Sequence, residues 1–434
     1  MSPRIAFTAV LLLIPIFMPM AFAAELTFEL TFNQALSAAL QQSPALAASA
    51  ARQESSRQML IPAAELPDPT LNFGIESLPI EGMDRFRVNG DFMTMRRIGF
   101  MQEVPHRAKR EAESGIAEAQ LALVSAQQNL SALQVLQQTA DAWIRHYSAE
   151  RKLAALDMVL AENALQLQTV QASIAGGSGS AVDSITVRQE AAALHNRRDE
   201  LLEQREQSVA ALRARIGELA DVPPGGKPPE WQVDGDHLNS SLHQHAELAL
   251  LEPGLKLLDA EIARAEADRK PDWAVGVAYA RRARDFEDML MLEFSIDLPL
   301  FANRRQSPRI AAREAEKRAV EADVELMRRE HAAMIEADLA RQRRLERTLQ
   351  RQRDTVVPLA REQAELLLAS WRGNQGSLTD VIDARAAVLE SELALLALEE
   401  ELTLLRVQLH LTYNSDAISR QLGFTGHLQE TSHE

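Results

Sequence analysis

The chain has 434 residues, a quarter of them charged, and a formal net charge of −16 at pH 7. A chain this acidic is a poor partner for nucleic acid, because phosphate backbones attract basic surfaces. It contains no cysteine, which excludes disulfides, thiol catalysis, thiolate metal sites and a lipidated N-terminal cysteine.

The first 23 residues have the pattern of a secretory signal peptide. Arg4 supplies the positive charge, Ile5 to Met20 form the apolar stretch, and Ala21-Phe22-Ala23 is a small-x-small cleavage site. No later segment reaches eighteen consecutive apolar residues, so the sequence predicts no transmembrane helix in the mature chain. We expect an exported protein that, if it enters a membrane, does so with strands.

For the first half, residues 24–220, the sequence predicts a helix, a hairpin and two longer helices. The helix covers residues 31–60, with a capping box at Thr31 and Gln34 and an interruption at Pro44. Alternating apolar residues predict a β-hairpin over about 70–104. The remaining elements are a long helix over 106–174, a turn over 176–183 and a return helix.

A proline- and glycine-rich linker, 221–236, leads to a second half, residues 237–414. For this half the sequence predicts a helix, a β-hairpin over about 273–298, a long helix over 304–371, a turn over 373–380 and a return helix. Pro358 predicts a bend or break in the long helix. Residues 415–434 form a polar C-terminal tail.

The two halves carry the same landmarks in the same order, roughly 200 residues apart. A Pro-Asp pair precedes each hairpin, a proline follows it, and a Gly-Ser-x-x-Asp turn separates the two helices. The sequence therefore predicts an internal tandem repeat. The paired landmarks are Pro67-Asp68 and Pro271-Asp272, Pro105 and Pro299, and Gly179–Asp183 and Gly376–Asp380.

The return helices have apolar residues at seven-residue intervals, which is typical of coiled coils. They are Val187, Leu194 and Leu201 in the first half, and Val381, Val388, Leu395, Leu402 and Leu409 in the second.

Two strands in each half give four in the chain, too few to close a barrel. An open sheet edge is not tolerated in hydrocarbon, and bacterial barrels have about eight or more strands, so two, three or four chains would have to pool their strands. The alternative is a hairpin lying on a soluble core. The secretion signal and the repeat favour the membrane.

Several segments resemble TolC-family outer-membrane efflux proteins, in order over essentially the whole mature chain. They are Leu30–Leu36 followed by Ser43-Pro44, Leu66–Leu71, and the two Gly-Ser-x-x-Asp turns. Met93 to Pro105 is more similar to the branch that accompanies heavy-metal resistance pumps, the CzcC-like and CusC-like proteins.

The resemblance implies a mainly α fold with a small β part. Long helical hairpins would form a periplasmic α-barrel tunnel, and the β-hairpins of a homotrimer would form a twelve-stranded barrel in outer-membrane lipid. The tunnel would meet a periplasmic membrane-fusion adaptor and an inner-membrane RND-type pump. With no cysteine to lipidate, the barrel alone would hold the protein.

The implied function is a passive exit duct for heavy-metal cations, with no enzymatic activity and no cofactor. One alternative is a duct of the same fold for drugs or for type I secretion. Another is a periplasmic coiled-coil adaptor or scaffold, which would also have long hairpins and a signal peptide but should not repeat two apolar-faced hairpins.

The two turns hold the candidate site residues. As structural elements, Ser180 and Ser377 cap helices, and the acid three residues later closes a capping box and complements the helix dipole. As functional elements, the turns form the tunnel tip and contact the adaptor, and a ring of carboxylates there would favour cations. The candidates for docking or gating are Gly179, Ser180, Asp183, Gly376, Ser377, Asp380 and Asp383, with Asp380 or Asp383 lining the constriction.

Two other groups suggest metal binding but have simpler interpretations. Six methionines of the strand regions could bind soft cations, but we interpret them as lipid-facing or gap-filling residues. His243 and His245 lie two apart on a predicted helix and would not share a face, so we interpret them as surface residues. The methionines are Met83, Met93, Met95, Met101, Met289 and Met291.

Overall fold

A computed structural model describes residues 29–177, 179–233, 235, 238, 245–283, 286–373 and 375–413. The predicted signal peptide and C-terminal tail lie outside the described residues, as does His243. The described chain is mostly helical, with one small antiparallel sheet. The predicted fold class, mainly α with a small β part, is confirmed in that respect.

The N-terminal part begins with the short strand β1 (Leu30–Thr31) and three helices, α1 (Phe32–Gln42), α2 (Pro44–Gln58) and α3 (Leu60–Ala64). The predicted capping box is present. The Gln34 N–H donates to Thr31 Oγ1 at 3.4 Å, and the Thr31 N–H donates to Gln34 Oε1 at 2.9 Å. α1 ends before Pro44, which lacks the N–H needed to continue the helix.

The first long hairpin consists of α4 (Arg107–Ala175) and α5 (Ala181–Ile216). α4 has 69 residues and is therefore about 100 Å long. A 3₁₀ turn (Gly217–Asp221) and the short strand β4 (Pro224–Gly225) follow, and β4 pairs in parallel with β1. The linker after α5 thus lies beside Leu30–Thr31, near the start of the described chain.

The second half also has a long helix and a return helix, and its long helix is broken. After α6 (Ala246–Ala249) and α7 (Leu251–Ala267) come α8 (Gln306–Arg351), a π-helical turn (Gln352–Val356), α9 (Val357–Arg372) and α10 (Leu378–Tyr413). The predicted break lies next to Pro358, which follows this π turn in the first turn of α9. Pro358 has no N–H for the carbonyl of residue 354, and a wider turn accommodates that loss.

Four strands form the sheet in the order β2 (Thr70–Glu76), β3 (Met95–Val104), β5 (Trp273–Arg281) and β6 (Met289–Ile296). All three pairings are antiparallel, and one row runs Phe73, Ile98, Tyr279, Leu290 across the sheet. The hairpin of each half therefore lies beside that of the other. β2 and β6 each keep one edge without a partner strand in the described chain.

The helices pack through apolar clusters between neighbours. The largest surrounds Trp143, which is fully buried, lies edge-on to Phe32 and donates its indole N–H to Leu30 O at 2.8 Å. On α5, the predicted apolar residues Val187, Leu194 and Leu201 are all buried. Among the described residues, no helix combines the length and the apolar character that crossing a bilayer requires.

Candidate functional site

One face of the sheet is apolar and exposed across all four strands. Phe73 is 84% exposed and Phe294 is 74% exposed. A single soluble chain rarely exposes so large a contiguous apolar patch, so this face belongs against lipid or a partner. The apolar face consists of Leu71, Phe73, Ile75, Ile98, Phe100, Trp273, Val277, Tyr279, Leu290, Leu292, Phe294 and Ile296.

The opposite face of the sheet is small and polar. Its central residues, such as Gly276, Ala278 and Ala280, leave room above β5. Arg97 on β3 crosses that space, with Nη1 2.9 Å from Glu76 Oε1 on β2 and Nη2 3.0 Å from Glu293 Oε2 on β6. One guanidinium therefore ties the two outer strands together across the sheet.

The methionines of the strands lie on this polar face. Met95, Met101, Met289 and Met291 all alternate with the apolar residues. Three of the four are half-buried, which fits the gap-filling interpretation and not the lipid-facing one.

The two candidate turns begin helices with a serine cap as their sequence predicts, but among the described residues Asp183 forms no capping box with Ser180. Ser180 Oγ accepts the Val182 N–H at 3.2 Å at the start of α5, and Ser377 Oγ accepts the Thr379 N–H at 3.1 Å at the start of α10. Asp183 lies in the first turn of α5 and Asp380 in that of α10, where their charge complements the helix dipole.

The glycines of these turns allow the chain to lie against the end of the preceding helix. A Cβ at Gly179 would lie 2.8 Å from the backbone nitrogen of Ile174, closer than real Cβ contacts. A Cβ at Gly376 would lie 3.0 Å from Ser370 Oγ and 3.3 Å from the Trp371 nitrogen. Both positions therefore favour glycine for the same reason.

Both turns lie at the same end of the helices. Val187 of α5 and Leu378 of α10 belong to one buried cluster, together with Val170 of α4 and Ile382 of α10. Of the candidate acids, Asp380 and Asp383 are exposed and Asp183 is half-buried. We call this end of the helices the tip.

A layer of polar side chains crosses the helices next to the tip. Asn163 of α4 donates to Glu190 Oε2 of α5 at 2.6 Å, and Arg385 of α10 donates to Gln166 Oε1 of α4. Burial raises the pKa of Glu190, as does the nearby Asp383 carboxylate, while the Asn163 hydrogen bond and the Arg385 charge oppose the rise. We call these five residues the tip polar layer.

Of the tip polar layer, sequence reasoning identified only Asp383. A signal for Asn163 was present, because it occupies a seam position between Leu160 and Leu167 in the apolar repeat of α4. A buried polar residue at such a position is typical of a specificity-determining contact between helices. Asn163 is indeed 4% exposed.

A second cluster of chemical interest involves a histidine that we placed on the surface, and that prediction is wrong. His245 is 4% exposed, and its ring centroid lies 4.2 Å from that of His331 on α8. His245 precedes the short helix α6 and caps it, since its Nδ1 accepts the Glu247 N–H at 3.1 Å. The contact with His331 depends on tertiary packing, which the spacing of His243 and His245 does not show.

The Glu247 carboxylate completes this cluster. Its Oε2 lies 3.1 Å from His331 Nε2. Burial and the neighbouring His331 lower the pKa of His245 to about 4, against a smaller opposing effect of Glu247. His245 is therefore uncharged at neutral pH.

Comparison with known proteins finds similarity of fold alone. No protein-family model and no curated protein sequence matches this chain. Among solved structures, the chain is similar to the Campylobacter jejuni CmeC outer membrane channel, with TM-score 0.75 and 11% identity over 91% of this chain and 90% of that one. It is also similar to CusC, with TM-score 0.72 and 15% identity over 89% and 92%.

A third similar structure is the outer membrane protein VceC from Vibrio cholerae. Its TM-score is 0.70, with 17% identity over 87% of this chain and 95% of that chain. The match therefore extends over nearly the full length of each protein, and what they share at these identities is the fold.

Proposed function

We propose that this chain is a TolC-family outer-membrane channel that serves as the exit duct of a tripartite efflux pump. One observation carries the proposal: two features occur together in this chain. A sheet with a continuous apolar face and two free edges leads directly into helices about 100 Å long, several times the thickness of a bilayer core.

The free edges require partner chains. Unpaired N–H and C=O groups are costly in hydrocarbon, so a four-stranded sheet enters a bilayer only if copies close it into a barrel. We infer that β2 of one copy pairs with β6 of the next, which continues the antiparallel order. Three copies would give a twelve-stranded barrel, and the full-length fold similarity to outer membrane channels supports that number.

The two faces of the sheet then have different surroundings. The apolar face contacts outer-membrane lipid, and the face with Arg97, Glu76 and Glu293 lines the lumen. Those three charges already pair with one another.

At the other end, the tip receives substrate. The exposed candidates Ser180, Gly376 and Ser377 and the half-buried Gly179, with the neighbouring acids, form the surface that contacts a periplasmic membrane-fusion adaptor, which links the duct to an inner-membrane RND-type pump. Asp380 and Asp383 repeat around the axis in an oligomer, and a ring of carboxylates attracts cations and repels anions. This acidic tip supports heavy-metal cations as cargo.

Two other functions remain as alternatives. A duct for drugs or for type I secretion uses the same fold, and the distinction lies in the cargo. A periplasmic adaptor or scaffold is less well supported, because it gives no reason for an apolar face across four strands.

Fractionation tests the channel proposal. We expect the chain, expressed in a Gram-negative host, to cleave its signal peptide and appear in the outer membrane, from which detergent extracts a trimer. Recovery as a soluble periplasmic monomer would contradict the proposal.

The cargo is tested separately, in a deletion strain. We expect lower tolerance to one or more of copper, silver, zinc, cobalt and cadmium. The wild-type chain should restore tolerance, and a chain with Asp380→Asn and Asp383→Asn should restore it less well than one with Asp354→Asn. Unchanged metal tolerance with lower drug tolerance would favour a drug duct.

A further inference from the structure

The cluster of His245, Glu247 and His331 has the chemistry of a transition-metal site. One ligand atom from each residue lies within 4.8 Å of the other two. The first two residues flank the start of α6, and the third lies on α8. We propose that this cluster binds one Zn²⁺-class divalent cation through two imidazoles and one carboxylate, and that the ion fastens α6 to α8.

The spacing already approaches that of bound ligands. Two ligand atoms on a tetrahedral zinc ion, each about 2.0–2.1 Å from it, lie about 3.3 Å apart. His331 Nε2 and Glu247 Oε2 are 3.1 Å apart. The two imidazole rings have to turn so that the His245 ligand atom, now within 4.8 Å of the other two, completes a three-ligand site.

The surroundings permit that adjustment. Within the part of the chain that the structure describes, His331 Nδ1 has no hydrogen-bond partner, so turning this ring against that of His245 breaks no second hydrogen bond. Glu247 is half exposed at its side chain, 47%, which gives an ion a path from solvent. A water molecule can take the fourth position, as in zinc sites with three protein ligands.

Binding has one identifiable cost. An imidazole that binds an ion at one nitrogen holds its proton at the other. His245 Nδ1 now accepts the Glu247 N–H, and with an ion on either nitrogen of His245 that hydrogen bond is lost. The ion must therefore replace the cap of α6, a helix of only four residues.

The donor set selects the class of ion. Two imidazole nitrogens and one carboxylate suit Zn²⁺, Co²⁺, Ni²⁺ and Cu²⁺, whereas Mg²⁺ and Ca²⁺ prefer oxygen ligands. The site is distinct from the tip, since His331 lies roughly 60 Å along the helices from Arg372 at 1.5 Å per residue. It therefore does not depend on what the duct conducts.

The test uses the full chain purified in detergent without a polyhistidine tag. After chelator treatment, ZnCl₂ is titrated by isothermal calorimetry at pH 7.5. We expect one saturable site per chain, at least tenfold weaker in His331→Gln and in His245→Gln. The matched control is His195→Gln, an exposed histidine on α5, which should leave this affinity unchanged.

Two further measurements keep the result interpretable if a buried-histidine variant folds poorly. Glu247→Gln changes a half-exposed residue and should also weaken Zn²⁺ binding at least tenfold, with helical circular dichroism unchanged. Zn²⁺ should raise the thermal midpoint of the wild-type chain but not of Glu247→Gln, and Mg²⁺ should raise neither.

The proposal is overturned if Zn²⁺ shows no saturable binding. It is also overturned if Glu247→Gln and His331→Gln bind Zn²⁺ as tightly as His195→Gln does. Because the readout is binding to the purified chain, either failure leaves the proposed channel function untouched.

Discussion

Asp272 Oδ1 accepts a hydrogen bond from the backbone N–H of His106 at 2.8 Å, across 166 residues of sequence. Its other carboxylate oxygen accepts from Lys109 Nζ. β5 lies beside β3, and β3 leads into α4. Asp272, which precedes β5, therefore accepts hydrogen bonds from the start of α4. The repeated Pro-Asp landmark therefore joins the sheet to a long helix.

Removing the charge of Asp272 should destabilise this contact between the sheet and α4. Burial alone would raise the pKa of Asp272, but the hydrogen bonds from Lys109 and from the His106 N–H outweigh it and hold the pKa below its usual value. Asp272→Asn leaves the largely buried Lys109 ammonium without its main partner, at a cost of about 1–3 kcal/mol. The thermal midpoint of the chain in detergent should fall.

This effect should depend on pH. A carboxyl with a lowered pKa stabilises the folded chain above its unfolded pKa, and the contribution is lost as pH falls through the folded value. The midpoints of wild type and Asp272→Asn should therefore converge on acidification. Asp354→Asn, at an exposed residue, is the control and should match wild type throughout; a constant gap between wild type and Asp272→Asn would contradict this explanation.

The same landmark in the first half predicts a contact between chains. Asp68 precedes β2 and is exposed, and Arg305, at the start of α8 beyond β6, is exposed as well. If β2 pairs with β6 of the next copy, Asp68 lies beside the segment that leads from the neighbour's β6 into α8, as Asp272 lies beside the segment that leads from β3 into α4.

Crosslinking measures that contact directly, because the chain has no cysteine of its own. Asp68→Cys combined with Arg305→Cys should give disulfide-linked multimers on a non-reducing gel. Asp68→Cys with Arg318→Cys, about 20 Å further along α8, should remain monomeric. Equal crosslinking of both pairs, or of neither, would argue against this pairing of edges.

The apolar face can be tested with two adjacent residues that point to opposite sides of β6. Phe294→Lys places a charge against lipid, at a cost of about 2–4 kcal/mol near the bilayer midplane. Ser295→Lys places the same charge on the polar face and should be tolerated. The readout is the yield of heat-resistant trimer in the outer membrane, and equal yields would show that Phe294 does not face lipid.

Glu190 provides a prediction at the tip. Its raised pKa means that holding it charged costs folding free energy at neutral pH, while below the ordinary value of 4.5 that cost disappears. Glu190→Gln keeps an acceptor for Asn163 and should raise the thermal midpoint at pH 7 but not at pH 4. Glu206→Gln, at an exposed residue of the same helix, should leave the thermal midpoint unchanged. A lower midpoint for Glu190→Gln at pH 7 would contradict the raised pKa of Glu190.

Local patterns in the sequence predicted the parts of the fold that local chemistry determines. Alternation assigned Phe294 and Ser295 to opposite faces of a strand, and Thr31 with Gln34 predicted the helix start. The Gly-Ser-x-x-Asp turns predicted the two capped helices at the tip. These features depend on neighbours in sequence, so one sequence is enough to find them.

Contacts between distant segments were beyond that reasoning. Nothing adjacent to His245 indicates that His331 lies against it, and nothing in Pro224-Gly225 indicates a pairing with β1. The link from Arg97 to Glu293 also needs the strand order, which places β5 between them. Each of these contacts depends on which helices and strands pack side by side, and a periodic sequence pattern does not specify that.

The free edges of β2 and β6 have a consequence for gene dosage. If copies close the sheet into a ring as proposed, each copy must supply one intact edge to each of two neighbours, and a single defective edge leaves the whole ring open. When wild-type and edge-defective chains are made together, intact ducts should become scarce faster than wild-type chains do. For the proposed duct, a defective allele should accordingly be dominant over the wild type.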